Sequence, residues 1–500
     1  MTAAPTGTPL RAAAVRCTRI AARAAAPCVA LLLAACVAGP DYRKPSVELP
    51  VTWKVEAPWR ESRPDDAAPK GPWWQRFNDP RLDALAEQAL ANSPSLAIAE
   101  ARLAQSRALL AATSAAVLPQ LGLNARAARQ KISANRPLSN YGSPNFSTVQ
   151  NDLVLAMSVN YEFDLAGRVR RSIEGAGATV EQATADYENT RLLLTADLAS
   201  NYFNLRALDI ERDVVDRAVA LQRRALELVS ARHDLGAATG LDVAQQQALL
   251  DTTLVQLDLL KRQRDQFEHA IAALVGVPAP GFTLPPDTRE LAPPAVPLGV
   301  PSDVLERRPD IASAERAMAA ANAQIGVATA AFYPSVTLSP AFAGVESRSL
   351  STLFDAPSVL WSIGLSATQV LFDNGRLKAG VDFATAGHAA TIANYRRVVL
   401  VAMQEAEDGI TGLAALERAA AQSRAAVASA RRVLEMSTAR YEGGASGYLD
   451  VITAQQALLT GARQVVQLDG QRMLTTVFLI KALGGDWQRE AAERVGTTGQ

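Results

Sequence analysis

The sequence predicts a mixed α+β chain, mostly α and internally duplicated, with two strands and one long helical hairpin in each copy. Three observations carry that prediction. Pro94, Ala99, Glu100, Ala104 and Pro119 recur 215 residues later as Pro309, Ala314, Glu315, Ala319 and Pro334. Arg232, Gly236, Leu241 and Asp242 recur 208 residues later as Arg440, Gly444, Leu449 and Asp450, and a fixed offset of this kind marks a repeat. Residues 145–277 and 358–500 contain no proline, so long helices are permitted there. Within each copy the hydrophobic period passes from about 3.6 to about 2 and back, which alternates helix with strand.

Composition sets the bounds. The chain has 500 residues, 49% hydrophobic and 20% charged, which excludes a disordered chain. Residues 1–35 hold Arg11, Arg16, Arg19 and Arg23 and no acid, leaving 46 basic against 50 acidic residues and no footprint for nucleic acid. No run of 18 apolar residues follows position 36, so no transmembrane helix is predicted. Residues 1–35 read as a signal peptide: an Arg-rich stretch precedes an apolar run, Ala24 to Ala35, too short to span a bilayer. It ends Leu33-Ala34-Ala35-Cys36, which resembles the bacterial lipobox and implies a lipidated Cys36 as the mature N-terminus. Val37 follows, not the Asp that commonly retains such lipoproteins at the inner membrane, so outer-membrane sorting is expected. Cys17 and Cys28 fall in the removed part, and no disulfide within the mature chain is expected.

Taken in order, residues 36–93 form an N-terminal arm, extended through Pro40 to Pro80, with Trp73, Trp74 and Phe77 as aromatic anchors. The first repeat, 94–277, comprises a helix, a strand pair at about 118–132 and 152–164, and a helical hairpin with its tip at about 233–241. A proline-rich linker covers 278–304. The second repeat, 305–485, has its strand pair at about 333–344 and 360–373 and its tip at about 441–449, and 486–500 is a polar tail.

The strands alternate. Leu153, Leu155, Met157, Val159, Tyr161 and Phe163 share one face, and Val154, Ala156, Ser158, Asn160 and Glu162 the other. Such strands suit a membrane barrel, greasy outside and wet inside; the soluble alternative, a small sandwich, leaves the long helices without a partner layer. Four strands cannot close a membrane barrel, which needs about eight, so several chains must contribute. The proline-free stretches 168–232 and 376–440 would each reach on the order of 100 Å as helix. The first carries two apolar stripes, one through Leu198, Leu205, Val215 and Val229, the other through Phe203, Val214, Leu221 and Leu228, which implies neighbours on two sides, as in the wall of a tube. Return helices run from Leu241 to about Leu274 and from Leu449 to about Leu483, each closed by glycine. They are too short to match their partners, so residues 94–117 and 309–332 are expected to stack end to end with them.

The chain resembles the TolC/OprM-type outer-membrane efflux proteins, in their NodT-like lipoprotein branch. The residues that carry the resemblance are Cys36-Val-Ala-Gly-Pro-Asp-Tyr42, Trp73-Trp74, Asp79-Pro80, Asn92, Phe163-Asp-Leu-Ala-Gly-Arg168, Arg307-Arg-Pro-Asp-Ile311 with Ala314-Glu315, Ala323-Gln-Ile-Gly326, Phe372-Asp-Asn-Gly-Arg376 and the two Leu-Asp-Val tips. The resemblance implies a homotrimer whose twelve-stranded β-barrel in the outer-membrane lipid continues as a periplasmic α-helical barrel, with an equatorial collar built from the arm, the linker and the C-terminal part. It implies as partners a periplasmic adaptor (membrane fusion) protein and an inner-membrane pump of the RND type. It also implies a gate at the tips: Asp242 and Asp450 line the periplasmic aperture, and Tyr441 latches the closed tip against the Asp242 position. Thr453 stands where relatives often carry a further Asp, and Ser446 where some carry a latch Arg. The plainer reading of either Asp is a helix cap.

No phosphate loop, dinucleotide motif or nucleophile elbow is present, and His233, His269 and His388 lack partners at metal-ligand spacing. Arg307-Arg308-Pro309-Asp310 reads as connector and cap. No catalytic residue, cofactor or metal is predicted. The expected function is a passive exit duct of a tripartite export system, its cargo chosen by the pump. A lipidated periplasmic adaptor or structural coiled-coil protein is the alternative, and a surface-bound enzyme on a β scaffold a more distant one.

Overall fold

The computed structural model describes residues 37–43, 72–133, 148–296 and 307–485. Cys36, the signal segment 1–35, most of the arm and the tail 486–500 lie outside the described residues. The elements, in order, are α1 (Pro80–Asn92), α2 (Pro94–Ser114), β1 (Gln120–Ile132), β2 (Thr148–Phe163), α3 (Arg168–Asp234) and α4 (Gly240–Leu274), then α5 (Pro309–Ala330), β3 (Ser335–Ser347), β4 (Val359–Thr368), α6 (Arg376–Glu442) and α7 (Tyr448–Ala482). The predicted mostly-α fold with a small set of strands is what forms. No described helix is long and apolar enough to cross a membrane.

The chain divides into two compact units, with boundaries inside α2, α3, α5 and α6. The first holds the sheet and the adjoining helix ends, residues 105–181 and 316–393, with the N-terminal strap 37–43. Its four strands lie antiparallel in the order β1-β2-β3-β4, so β1 and β4 are the two edges. The register puts Leu123 beside Met157, Met157 beside Ala343 and Ala343 beside Trp361, which continues one apolar row across all four strands. That face is bare: Leu123 is 71% exposed, Trp361 73% and Ile363 71%. The opposite face is polar and bonded to itself. Arg126 reaches Asp152 at 2.5 Å and Asn124 donates to the Ser158 hydroxyl at 2.9 Å. A sheet inverted in this way, exposed where it is apolar, is stable only with a nonpolar medium on that side.

Each strand pair hands over to a long helix through an Asp and a glycine. Asp164 accepts from the amides of Val169 (3.0 Å) and Arg170 (2.9 Å), with Gly167 at φ 78°. The strand expected to reach residue 373 stops at Thr368, because Asp373 serves the same purpose in the second copy. Its carboxylate accepts from Gly375 (3.1 Å) and Leu377 (2.9 Å), and Asn374 and Gly375 take positive φ, incompatible with a continuing strand.

The N-terminal strap is tied to this junction. The Ala38 amide donates to the Ala166 carbonyl at 3.0 Å, and buried Arg171 donates to the Ala38 carbonyl at 3.2 Å and to Asp41 at 2.8 Å. Asn322 on α5 donates to the Pro40 carbonyl at 3.0 Å. Gly39 lies so close to Gly326 that a Cβ on it would sit 2.6 Å from the Gly326 Cα, so neither backbone could approach with a larger residue there.

The second unit holds residues 72–104, 182–296, 307–315 and 394–485. Trp73 donates its indole N–H to Thr195 at 3.1 Å and Phe77 packs on Phe203 with ring centres 4.7 Å apart, as expected of aromatic anchors. The linker residues 284–289 are held by charge as well as by the buried Leu284. Buried Arg206 bridges Asp287 (2.8 Å) and Asp79 (3.4 Å) and donates to the Asp287 carbonyl. Arg264 pairs with Asp209 at 2.6 Å and donates to the Leu284 carbonyl at 2.6 Å. The hydrogen-bonded Arg289 guanidinium holds the Asp287 carboxyl down at about 2. Removing one partner from a buried pair such as Arg264–Asp209 costs about 3–5 kcal/mol.

Arg308 overturns an expectation. It is a buried tie, not a connector: it pairs with Asp310 (2.7 Å) and Glu405 (2.7 Å) and donates to the Ala482 carbonyl at 3.0 Å, satisfying one of the orphan acceptors that end α7. The return helices do end against the short helices of their own copies. A Cβ on Gly276, just past α4, would strike the Asn92 carbonyl before α2, and one on Gly484, past α7, would strike Arg307 before α5.

Candidate functional site at the hairpin tips

Both tips lie in the second unit and are closed by the same backbone device. At the first, the Ala237 amide donates to the Arg232 carbonyl (2.7 Å) and Gly236 to His233 (2.8 Å), with Gly236 at φ 74°. At the second, Ala445 donates to Arg440 (2.8 Å) and Gly444 to Tyr441 (3.0 Å), with Gly444 at φ 71°. Each is a Schellman stop, and glycine supplies the left-handed residue without strain.

The restart of each hairpin differs. Thr239 caps α4: its hydroxyl accepts from the Asp242 amide at 3.2 Å, and the Asp242 carboxylate accepts from the Thr239 amide at 2.9 Å. This reciprocal capping box occupies Asp242. Thr239-Gly-Leu-Asp242 carries that signature in the sequence. In the second tip Gly447 occupies the corresponding position and offers no side chain. Asp450 is exposed and, among the described residues, bonded to no other side chain. Thr453 is exposed too, its hydroxyl turned back to the Leu449 carbonyl at 2.8 Å.

Between the tips lies a small core. Val229, Leu249, Tyr448, Val451 and Ile452 are buried together, with Leu226, Ala238, Val243, Leu434 and Tyr441 around them. Tyr448 donates to the Gln246 side-chain carbonyl at 2.9 Å, and the Gln246 amide donates to the Gln222 carbonyl at 3.0 Å. Tyr441 packs on Tyr448, ring centres 4.9 Å apart, and the Arg232 guanidinium lies 5.0 Å from the centre of the Tyr441 ring. Burial, then the neighbouring Tyr441 and Asp242, push the Tyr448 hydroxyl up to about 12. The two hairpins of one chain are thus clasped by Arg232, Tyr441, Tyr448 and Gln246.

Within the chain Tyr441 does not reach the Asp242 carboxylate. Its hydroxyl is buried without a hydrogen-bond partner, as is the Ser446 hydroxyl, and it makes no bond to Asp242, whose carboxylate is already engaged by Thr239. Sequence reasoning missed Arg232, Gln246 and Tyr448. The available signal was the repeat itself, since Tyr448 replaces Gly240 at the aligned position. His233 is exposed, with Nδ1 3.0 Å from the Ala238 carbonyl. Among the described residues no group of three His, Cys, Asp or Glu is arranged to hold a metal ion.

The comparisons agree with this architecture. A family profile described as "Outer membrane efflux protein" matches residues 85–277 and 300–485. The pyoverdine export outer membrane protein OpmQ of Pseudomonas aeruginosa is 31% identical over 463 residues, covering 92% of this chain and 96% of that protein. Among solved structures, the outer-membrane channel OprN superposes with a TM-score of 0.83 at 28% identity, covering 91% of this chain and 100% of that one. The Neisseria gonorrhoeae MtrE outer membrane channel, in its open state, gives 0.79 at 29% identity, covering 91% and 99%. The chain therefore belongs to the outer membrane efflux protein family of TolC/OprM-type channels, and it serves as an outer-membrane exit duct of an efflux system.

Proposed function

We propose that three copies of this chain form one passive duct, anchored by a lipid on Cys36 and gated where the hairpin tips converge. The observation that carries the reading is the inverted sheet: four strands, two unpaired edges and a bare apolar face. Unpaired edges in a membrane must find partners, and twelve strands from three chains lie within the range of closed barrels, which begins at about eight. The strap supports the anchor. Val37 lies against Gly167, at the helix-bearing end of β2, so the described strap begins beside the rim of the apolar face.

In this reading the Asp450 carboxylates, free of any cap, form the charged lining of the aperture and favour cations in the closed duct. Asp242 contributes by fixing the first tip. The two buried, unpaired hydroxyls support a tip that can rearrange, since leaving such a group unsatisfied costs about 1–3 kcal/mol and opening would hydrate it. A periplasmic adaptor engages the tips, and an inner-membrane pump, of the RND type, supplies the energy and selects the cargo; the chain itself performs no chemistry.

Conductance across a planar bilayer tests the gate. Asp450→Ala is expected to relieve cation block or lower cation selectivity while Asp242→Ala leaves both nearly unchanged; equal effects, or none from Asp450, would sink the assignment. The assembly is tested by the mass of the detergent-extracted protein, expected at three chains in outer-membrane fractions and overturned by a monomer.

A further inference from the structure

The lipid-facing side of the sheet ends in positive charge. Phe163 and Leu153 bound the outward apolar row of β2, ten residues apart. That is about 34 Å along the strand, or about 26 Å of membrane at a tilt of about 40°, against an apolar band of about 25 Å in such barrels. All four helices adjoin the sheet at the Phe163 end, so the strand ends at Ile132, Thr148, Ser347 and Val359 mark its opposite, outer end.

At that outer end the β1–β2 hairpin outruns its neighbours. The β2–β3 pairing stops at Leu153 with Ser347, whereas β1 and β2 remain paired through Arg129 with Asn151 and Lys131 with Val149. The β1–β2 register is unbroken, so Arg129 and Lys131 continue the face of Leu121, Leu123, Ala125 and Ala127. They stand about 7 and 14 Å along the strand beyond Ala127, just past the apolar band, and both are exposed.

Their neighbour on the other face shows the contrast. Inward-facing Arg126 is neutralised by Asp152, while Arg129 and Lys131 have no carboxylate within ion-pair distance among the described residues. Two cations on this face at headgroup height, flanked on the paired strand by Asn151 and the exposed Val149, match an anionic headgroup rather than a protein surface, because the same face is apolar immediately beneath them.

We propose that Arg129 and Lys131 bind the phosphate groups of a phosphorylated glycolipid in the outer leaflet, one such site on each β1–β2 hairpin. The site rests on the reading of the strands as membrane-spanning. It fixes the height of the barrel at its outer rim, as the Cys36 anchor would at its inner one.

The test uses the purified full-length protein in detergent and a bisphosphorylated glucosamine-disaccharide lipid as probe, with its dephosphorylated form alongside, and counts bound lipid by native mass spectrometry. Arg129→Gln/Lys131→Gln is expected to weaken binding of the phosphorylated lipid about five-fold per charge, on the order of 25-fold together, without changing the dephosphorylated one. Arg129→Lys/Lys131→Arg, which keeps the charge, should bind as the parent does. Arg348→Gln, on the other outer connection, should have no effect. Equal binding by the double Gln variant, equal loss in Arg348→Gln, or displacement of the lipid by millimolar inorganic phosphate would overturn the proposal. Insertion into uncharged phosphatidylcholine vesicles separates the two readings. Parent and double Gln variant should insert alike, so a parent that fails to insert removes the spanning strands and the site together, whereas lost glycolipid preference with intact insertion supports the site.

Discussion

The two hairpin tips share a backbone and differ in what their aspartates do. Both stop with glycine at positive φ and the same pair of amide-to-carbonyl bonds, at residues 236–237 and 444–445. Thr239 against Gly447 is the difference that matters. The threonine draws Asp242 into a capping box, whereas the glycine leaves Asp450 in solvent. Gly240 against Tyr448 is the second difference: the second tip sends an aromatic into the core where the first sends nothing. Duplication followed by these exchanges yields one hairpin that is fixed and one that carries both the free charge and the clasp.

The clasp gives the largest effect that can break this contrast. Tyr448→Ala removes a buried aromatic and the Gln246 partner, and should lower stability by about 3–5 kcal/mol, with hydrogen exchange accelerating at both tips. Protection lost at the second tip alone would show that the tips are independent. Exchanging the caps sharpens the comparison at smaller scale. Thr239→Gly should free Asp242 and confer on it the cation sensitivity assigned to Asp450. Gly447→Thr, where a Cβ meets open space, should draw Asp450 into a cap and diminish that sensitivity. Each exchange should move stability by only a few tenths of a kcal/mol, so reversal potential in bilayers is the readout. A further test lies in alkali. Because the Tyr448 hydroxyl lies at about 12 when folded, above the ordinary 10.0, its contribution is complete below about pH 10 and is lost as pH rises towards 12. Tip protection should weaken across that window and the dependence should vanish in Tyr448→Phe.

Much of the fold was legible because it is written locally. Proline-free runs and apolar periodicity announce α3 and α6, Gly236 and Gly444 mark where each stops, and the alternation of Leu153 to Phe163 announces a two-sided strand. The site was legible only in outline. Both aspartates stood out, but they looked equivalent, although Thr239 three residues before Asp242 already distinguished them. Reading the fourth strand through to residue 373 failed because Asp373 and Gly375 belong to the start of a helix, and a capping Asp leaves no trace in hydrophobic period.

By itself the sequence determined the class of the molecule: a duplicated chain of long helices and amphipathic strands, too few to close alone and bare on one face. Those properties follow from spacing along the chain, which the backbone converts directly into faces and turns. Tertiary structure decided which residues work together. Tyr448 meets Gln246 across 202 positions, Arg171 meets Asp41 across 130, and Arg308 meets Ala482 across 174. No periodicity encodes such pairs; they exist because burial forces each polar group to find a partner once the helices have packed.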